Sequence, residues 1–342
     1  MASKSKSATP LSNATRCDAH GHNVKNIARL CLAGALLGAT SACAGKPRPD
    51  VTPTPVPTAT QAQIVAIEVI GELKDFEERL GGEATGNFLQ HSDRHTADNR
   101  CYFTDRLELP EFYSTLKMVR EDEAQCAARA AEHDTFFYPV QAVASGEETI
   151  TVSLAEAPIE RVLVVVPHED FHNQPEVRKA PTEVSEAAAT LIGFLTATAF
   201  AKERLGAEST AARLLDLDAD LFLRKSLVVN VYYEKVSALY QALRAGTLTK
   251  AQTLERKAAL FAELQQTCSQ ILPDPVSFNK CPSAMNNAGL AFDRTYTRNY
   301  PMLHELYTLL GSDTPALVST LRRLLRNWPV AAAGAGDLLK VQ

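Results

Sequence analysis

Residues 168–206 read HEDFHNQPEVRKAPTEVSEAAATLIGFLTATAFAKERLG, and this stretch decides the fold class. It opens with His168 and His172, which a helix would stack on one face because they are four residues apart. From residue 183 to 205 it is rich in Ala and Leu, which favour helix, and Gly206 is typical of the position after a helix end. We therefore predict two helices joined by a short connection.

The same helical spacing continues on both sides of this stretch. Apolar residues of segment 61–80 recur every three or four positions and end at Gly81-Gly82. Further helices are predicted over 116–131, 221–245, 250–268, 284–297, 301–310 and 314–327.

Strand patterns are sparse. Residues 149–154 (TITVSL) alternate and are β-branched, and residues 161–166 form a short apolar run. Residues 84–112 are punctuated by Gly, Asn, Asp and Pro and are predicted to be loop with short elements. The expected fold class is therefore mainly α, with one helical domain over 61–330. A small β element is expected before the helix that carries the HExxH pattern His168-Glu169-Asp170-Phe171-His172.

Composition excludes several classes of protein. The 342 residues are 45% hydrophobic and 22% charged, which excludes a wholly disordered or fibrous chain. The formal net charge of −5 argues against a nucleic-acid partner, because such proteins need a basic surface to displace counterions.

The amino terminus has the pattern of a secretion signal. A basic leader precedes an uncharged run over residues 30–42, which is shorter than the about 20 residues needed to span a bilayer. The run ends in Ala39-Thr40-Ser41-Ala42-Cys43, which resembles the lipobox of bacterial lipoproteins. Residues 1–42 are therefore predicted to be a lipoprotein signal peptide, with Cys43 as the lipidated residue. A plain signal peptide cut after Ala42 and a short buried helix are the alternatives.

A proline-rich segment follows the predicted lipidation site. Residues 43–60 contain five prolines, which favour an extended chain and hold a domain away from its anchor. We predict a tether here and a short tail over residues 331–342. Together these features predict a protein of the cell envelope that is held in the outer membrane by a lipid anchor. Its folded domain would face the periplasm.

Four cysteines follow the predicted lipidation site, namely Cys101, Cys126, Cys268 and Cys281. None forms a CxxC pair, so two structural disulfides are expected in an oxidising compartment. Proximity favours Cys101–Cys126 and Cys268–Cys281. Four cysteines allow three pairings, and free buried thiols are the other interpretation.

The motif HEDFH carries the chemistry. Two imidazoles on one helix face can bind one Zn²⁺, and Glu169 beside them can take a proton from a zinc-activated water. A catalytic zinc needs a third protein ligand. Glu186 is a charge in the apolar opening of the next helix, and such a carboxylate is costly to bury without a metal or cation. Glu183 and Glu176 are rival ligands.

An alternative interpretation treats the motif as a pair of loop histidines. Pro167 cannot donate a helical hydrogen bond, so a helix there must start near it, kink at it or be absent. Asp170 and Phe171 are unusual between the histidines, and Phe171 would crowd a metal if it faced one. His91 and His95 share the same spacing but lie in a polar stretch and are predicted to be solvated loop.

Three motifs in order resemble one known family. They are HEDFH, then SEAAATLIGFLTATAFAKERLG, then NNAGLAFDRTY over residues 286–296. This order is similar to that of the putative aminopeptidase family of bacterial zinc-dependent envelope proteins, over roughly residues 61–330. The resemblance implies one zinc ion bound by His168, His172 and Glu186, with Glu169 as the base.

The third motif suggests further site residues. The resemblance implies that Tyr296 donates its hydroxyl to the oxyanion of the tetrahedral intermediate. Asn286 and Asn287 would hold substrate backbone or orient that tyrosine. The alternatives are a helix N-cap for the asparagines and an amphipathic core position for Tyr296.

Two functions from different classes follow. The first is a membrane-anchored zinc metallopeptidase acting on peptide or protein substrates, an aminopeptidase by resemblance. The chain departs from the family at Ser185, where the family has Asn, and contains no Gly-Ala-Met-Glu-Asn motif for binding a free amino terminus. The second function is that of a helical envelope lipoprotein with a degenerate site, which binds or scaffolds a partner.

Overall fold

The computed structural model describes residues 59–328 and 335–339. The predicted signal peptide, Cys43 and nearly all of the predicted tether lie outside these residues. The elements are α1 (Gln61–Arg79), β1 (Asp98–Asp105), β2 (Lys117–Arg120), α2 (Glu123–Arg129), β3 (His133–Val140), α3 (Val152–Ala155), α4 (Ile159–His172), α5 (Thr182–Arg204), α6 (Thr210–Arg244), α7 (Lys250–Cys268), α8 (Asn287–Thr297), α9 (Tyr300–Leu309), α10 (Thr314–Arg326) and α11 (Ala335–Leu338). About 59% of the described residues are helical, so the mainly α prediction is confirmed.

Helices α4 and α5 form the centre of the core. They pack closely because Gly193 of α5 has no side chain: a Cβ there would lie 2.8 Å from the carbonyl oxygen of Val164 and 3.4 Å from Cβ of His168. The α5 helix is long and apolar enough to be a membrane-span candidate, but 83% of that stretch is buried inside the protein. Its apolar composition is therefore that of a core helix.

The β element is a three-stranded antiparallel sheet of order β2-β1-β3. Tyr102 of β1 pairs with Met118 of β2 and with Phe136 of β3. One face of the sheet packs on α8 through aromatic side chains, and the rings of Phe136 and Phe292 have centroids 4.6 Å apart. As predicted, this small sheet precedes the HExxH helix in the chain.

Both predicted strands are wrong. In the first, Ile150 forms only an isolated bridge with His91. Residues 152–154 belong to α3, since the hydroxyl of Thr151 accepts a hydrogen bond from the Leu154 amide and caps that helix. Residues 161–166 belong to α4, where they are mostly buried. A short apolar run has the same appearance in a buried strand and a buried helix, so periodicity alone could not separate them.

The helix predicted over residues 116–131 is also wrong in its first part. Residues 117–120 form β2, and only Glu123–Arg129 is helical, with Asp122 as the N-cap. The segment 84–112, predicted to be mostly loop, contains the eight-residue strand β1. These strands carry many charged residues, which masked the alternation that marks a strand.

Helix α4 begins at Ile159 and continues through Pro167. The helix therefore does not start at Pro167, and it is not absent there. Proline has no N–H for a hydrogen bond to the Leu163 carbonyl, but the buried valines on this helix hold it in the core. The predicted tail contains α11, in which Ala335 and Leu338 are buried.

Two disulfides join the pairs that proximity favoured. Cys101–Cys126 links β1 to α2, and Cys268–Cys281 links the end of α7 to the loop before α8. The Cα–Cα distances are 5.5 and 5.3 Å.

Candidate functional site

Three side chains from α4 and α5 bring their donor atoms together. The Nε2 atoms of His168 and His172 lie 3.2 Å apart. Oε2 of Glu186 lies 3.2 Å from His168 Nε2 and 3.1 Å from His172 Nε2. The three donors therefore form a nearly equilateral triangle.

The local sequence explains this triangle. His168 and His172 are one helical turn apart on α4, so their rings lie on one face. On α5, Glu186 and Gly193 are seven residues apart and share a face, so the close contact at Gly193 also directs Glu186 towards the histidines. The connection between the two helices is short enough to make them neighbours.

The triangle fits a tetrahedral metal ion. Zinc bonds of about 2.0–2.1 Å place neighbouring ligand atoms about 3.3–3.4 Å apart. The observed separations of 3.1–3.2 Å are close to that edge, and two imidazoles with one carboxylate are a donor set that catalytic zinc uses. Glu176, a rival ligand in the sequence, is instead paired with Arg322 and Arg326. Glu183 does not join the donor group among the described residues.

A second group of donors among the described residues has no such role. Cys101, Glu121 and Cys126 lie close together, but the two cysteines form a disulfide and Glu121 is bonded to Arg129. His91 and His95 belong to neither group.

The donor triangle is supported by side chains behind it. The hydroxyl of Tyr113 donates to Oε1 of Glu186 at 2.8 Å, which occupies the oxygen that the histidines do not contact. Thr190 Oγ1 lies 3.5 Å from Nδ1 of His168. Tyr113 is a site residue that the sequence did not reveal, because it lies in a short 3₁₀ turn 73 residues before Glu186.

Burial and charge oppose each other at these groups. Burial raises the pKa of Glu186, but the two imidazoles outweigh it and hold that pKa well below its usual value. For His172, burial lowers the pKa, and the charge of Glu186 outweighs it, so the pKa is raised. The carboxylate of Glu186 and the imidazole of His172 therefore stabilise each other's charged forms.

Glu169 is in a different environment from Glu186. Among the described residues, its carboxylate has no hydrogen bond to match those of Glu186, and burial raises its pKa despite the opposing charges of His168 and His172. A buried carboxyl group whose pKa is raised in this way is suited to accept and release a proton during catalysis.

A cavity of about 640 Å³ contains the triangle, Glu169 and Tyr296. The ring of Tyr296 lies 6.4 Å, between centroids, from that of His168. Burial raises the pKa of the Tyr296 hydroxyl, and the charge of Glu186 adds to this effect, so the group keeps its proton. It can therefore act as a hydrogen-bond donor in the cavity.

Asn286 and Asn287 are not brought into this cavity. Oδ1 of Asn286 accepts from the Gly289 amide at 3.1 Å and caps α8. Asn287 is fully buried and donates to the Glu108 carbonyl and to the Tyr240 hydroxyl, both at 2.7 Å. The N-cap alternative therefore describes Asn286, and Asn287 is a core residue rather than a substrate contact.

The unusual residues between the histidines point away from the cavity. Asp170 accepts from Lys74 Nζ and Thr85 Oγ1, both at 2.5 Å, and from Asn87 Nδ2 at 2.9 Å. Phe171 is buried in the main core. Neither side chain crowds the donor triangle.

Comparison with protein families gives one match. Residues 118–331 match the model of the family described as Putative aminopeptidase. Searches of curated proteins and of solved structures gave no significant match. The matched region is more than half of the chain and contains the donor triangle, Glu169 and Tyr296, and the family supports a peptidase-like function. The chain belongs to the Putative aminopeptidase family.

Proposed function

We propose that this protein is a zinc metallopeptidase that hydrolyses peptide bonds, with Glu169 as the general base. The observation that carries the proposal is the donor triangle of His168, His172 and Glu186, with Glu169 and Tyr296 in the same cavity. A zinc peptidase combines a metal ion, a base and an oxyanion donor at one place.

Zinc is the metal that we propose, and His168, His172 and Glu186 would hold it. When bound, it would supply a Lewis acid that polarises the substrate carbonyl and makes water more acidic. Tyr113 would keep Glu186 in the orientation that presents Oε2 to the ion, because its hydroxyl already holds Oε1.

The side chains of the cavity would carry the proton and the charge. Glu169 would take a proton from the attacking water as the new carbon–oxygen bond forms. It would then pass that proton to the leaving amine as the carbon–nitrogen bond breaks. Tyr296 would donate a hydrogen bond to the oxyanion, a contribution of about 3–4 kcal/mol where such donors are removed.

The location of the enzyme is part of the same proposal. The signal-like leader, Cys43 and the proline-rich segment support a lipid-anchored domain in the cell envelope that faces the periplasm. Peptide or protein substrates would then reach the cavity from that compartment.

Metal content and hydrolysis test the proposal together. The purified protein, Glu169→Gln, Glu186→Ala and the control Glu183→Ala are reconstituted with zinc and measured by elemental mass spectrometry. The same four proteins are incubated with a peptide mixture, and cleavage is followed by mass spectrometry. Glu183 is one helical turn from Glu186 but outside the donor group, which makes it a matched control.

We expect one zinc per chain in the wild type, Glu169→Gln and Glu183→Ala, and loss of zinc in Glu186→Ala. Hydrolysis should persist in the wild type and Glu183→Ala only. Hydrolysis by Glu169→Gln would refute the role of the base. Absence of zinc in the reconstituted wild type would refute the proposal of a zinc enzyme. The second candidate function, a helical lipoprotein that binds a partner, would then be favoured.

A further inference from the structure

The charge of the cavity differs in sign from that of the chain. The whole chain has a formal net charge of −5. The cavity is lined by four cationic side chains and three carboxylates, and its charged groups are Arg100, Arg161, Arg178, Lys225, Glu169, Glu186 and Asp293. The formal sum is +1 with neutral histidines, and any divalent ion on the triangle would add to it.

Two of the three carboxylates of this lining are held by other side chains, and the third is assigned to proton transfer. Glu186 contacts both imidazoles and Tyr113. Asp293 is paired with Lys225 Nζ at 2.8 Å and accepts from the Ser283 amide at 2.7 Å. Glu169 is the proposed base. Among the described residues that line the cavity, no carboxylate is therefore left to bind the ammonium group of a free amino terminus.

Arg161, in contrast to these carboxylates, has only uncharged partners among the described residues. Its Nε donates to Oε1 of Gln141 at 2.9 Å and its Nη1 donates to the Ser277 carbonyl at 2.6 Å. It makes no ion pair with a carboxylate of the described residues. Two of its five N–H groups are engaged, so the planar guanidinium is held in place with donors still available. Such a fork is suited to bind a carboxylate.

The other two arginines are less suited to this role. Arg100 is paired with Asp98 at 2.9 Å. Arg178 is exposed and is bonded to the backbone and side chain of Asn173, at 3.1 and 3.4 Å. Arg161 is thus the half-buried cation of the lining whose partners are all uncharged.

The position of Arg161 on α4 fixes its distance from the chemistry. It lies seven residues before His168, which is two helical turns on the same face and about 10 Å along the axis. Val164 and Val165 line the cavity between them. An extended peptide advances about 3.3 Å per residue, so this distance spans roughly two to three residues of a bound substrate.

We propose that Arg161 binds a carboxylate of the substrate two to three residues from the bond that is cleaved. This inference rests on the proposed peptidase function and names its substrate class. The carboxylate has two possible sources. If it is the carboxyl terminus, the enzyme releases a di- or tripeptide from that end. If it is an Asp or Glu side chain, the enzyme cleaves at a fixed distance from an acidic residue. Neither mode uses the amino-terminal recognition that the family description names.

The test uses one apolar hexapeptide in matched forms. They are the free acid, the carboxyl-terminal amide, the amide with one internal Glu, the amide with Gln in its place, and the N-acetylated free acid. The kcat/KM and products are measured by mass spectrometry for the zinc-loaded wild type, Arg161→Gln, Arg161→Lys and the control Arg224→Gln, which removes an exposed charge from α6. Zinc content and thermal unfolding show whether each variant is folded.

For the terminal source, we expect cleavage of the free acid to exceed that of the amide by about 10- to 100-fold, which is the effect of one charged hydrogen-bond pair. Acetylation should not matter. Arg161→Gln should remove the preference, Arg161→Lys should keep part of it, and Arg224→Gln should keep all of it. A preference for Glu over Gln that Arg161→Gln removes would support the side-chain source.

Equal cleavage of all forms, or cleavage abolished by acetylation, would overturn the inference and leave the peptidase intact. If no form is cleaved, the proposed function fails separately. Binding of the acid and the amide to zinc-loaded Glu169→Gln, measured by calorimetry, then decides the inference. Tighter binding of the acid that depends on Arg161 supports it, and equal binding overturns it.

Discussion

Two walls enclose the cavity, and they are built in different ways. The helical wall consists of α4 and α5 and carries His168, His172, Glu169 and Glu186. The facing wall consists of β1, β3, the turn at Tyr113, the loop at residues 277–279 and α8. The residues of the helical wall that line the cavity all lie between 161 and 194, whereas the facing wall collects residues from 100 to 296.

This difference separates the proposed metal ligands and base from the side chains that orient them. Helical spacing stacks His168 and His172 on one face, and a single contact between neighbouring helices at Gly193 brings Glu186 to them. Side chains of the facing wall reach the site only through tertiary packing, as Tyr113 does when it bonds to Glu186. Changes on the helical wall should therefore abolish the site, and changes on the facing wall should weaken it.

The largest effect is expected at the contact between α4 and α5. In Gly193→Ala, the new Cβ would lie 2.8 Å from the backbone oxygen of Val164, so the helices must separate. We expect zinc affinity and hydrolysis to fall roughly 100-fold, because displacements of about 1 Å at a site have such effects. Unfolding should become easier by about 1–3 kcal/mol. Zinc titration and chemical denaturation measure the two.

Gly71→Ala is the matched control. It lies inside α1, and nothing is within 4 Å of its added Cβ. This variant should gain about 0.5–1 kcal/mol of stability and bind zinc normally. If both glycine variants bind zinc equally, the close contact does not control the donor triangle.

The next effect concerns how the facing wall is anchored. Asp218 of α6 accepts a hydrogen bond from the Ser277 hydroxyl, and the Ser277 carbonyl accepts from Arg161. Burial raises the pKa of Asp218 to about 6, above its ordinary 3.8, and the hydrogen bond from Ser277 only partly opposes this shift. The folded chain therefore holds this proton more tightly than the unfolded chain, and stability is lost as the pH rises from about 4 through 6.

Asp218→Asn removes this dependence and keeps an oxygen for Ser277. We expect the variant to be more stable than the wild type by about 3 kcal/mol at pH 7.5, and equally stable below about pH 4. Denaturation at the two pH values measures the difference. Asp216→Asn, at an exposed acid on the same helix, should show no comparable gap. A gap that does not close in acid would show that another group is responsible.

The smallest effect is expected at Tyr113. Tyr113→Phe keeps the ring but removes the hydroxyl that holds Oε1 of Glu186. Zinc affinity should fall by about 10- to 100-fold, as is usual when a group that orients a ligand is lost. Competition with a chelator measures this. Tyr300→Phe removes a buried hydroxyl bonded to the Ala219 carbonyl, and it should not affect zinc. Equal affinities for the two variants would remove Tyr113 from the site.

The sequence predicts the two walls unequally for a physical reason. Helix α5, the helical turn that carries HEDFH, the spacing of the donors and the favoured disulfides follow from local patterns, and the structure contains them. The first half of α4 was predicted as a strand, because a short apolar run does not distinguish a buried helix from a buried strand. The strands of the facing wall were predicted in the wrong places, because their pairing is between distant segments. The roles of Asn286 and Asn287 also depended on tertiary contacts, which bury them or use them as a cap.

The hydrogen bonds to Asp170 show how much of the chain is needed to build the candidate site. Adjacent residues on a helix point about 100° apart, so the bonds from Lys74, Thr85 and Asn87 to Asp170 fix the rotation that keeps Glu169 in the cavity. These partners, like Tyr113, precede the region that matches the family, which begins at residue 118. A chain trimmed to that region would retain every donor atom but lose the side chains that orient them. The segment that matches the family is thus shorter than the segment that builds the candidate site.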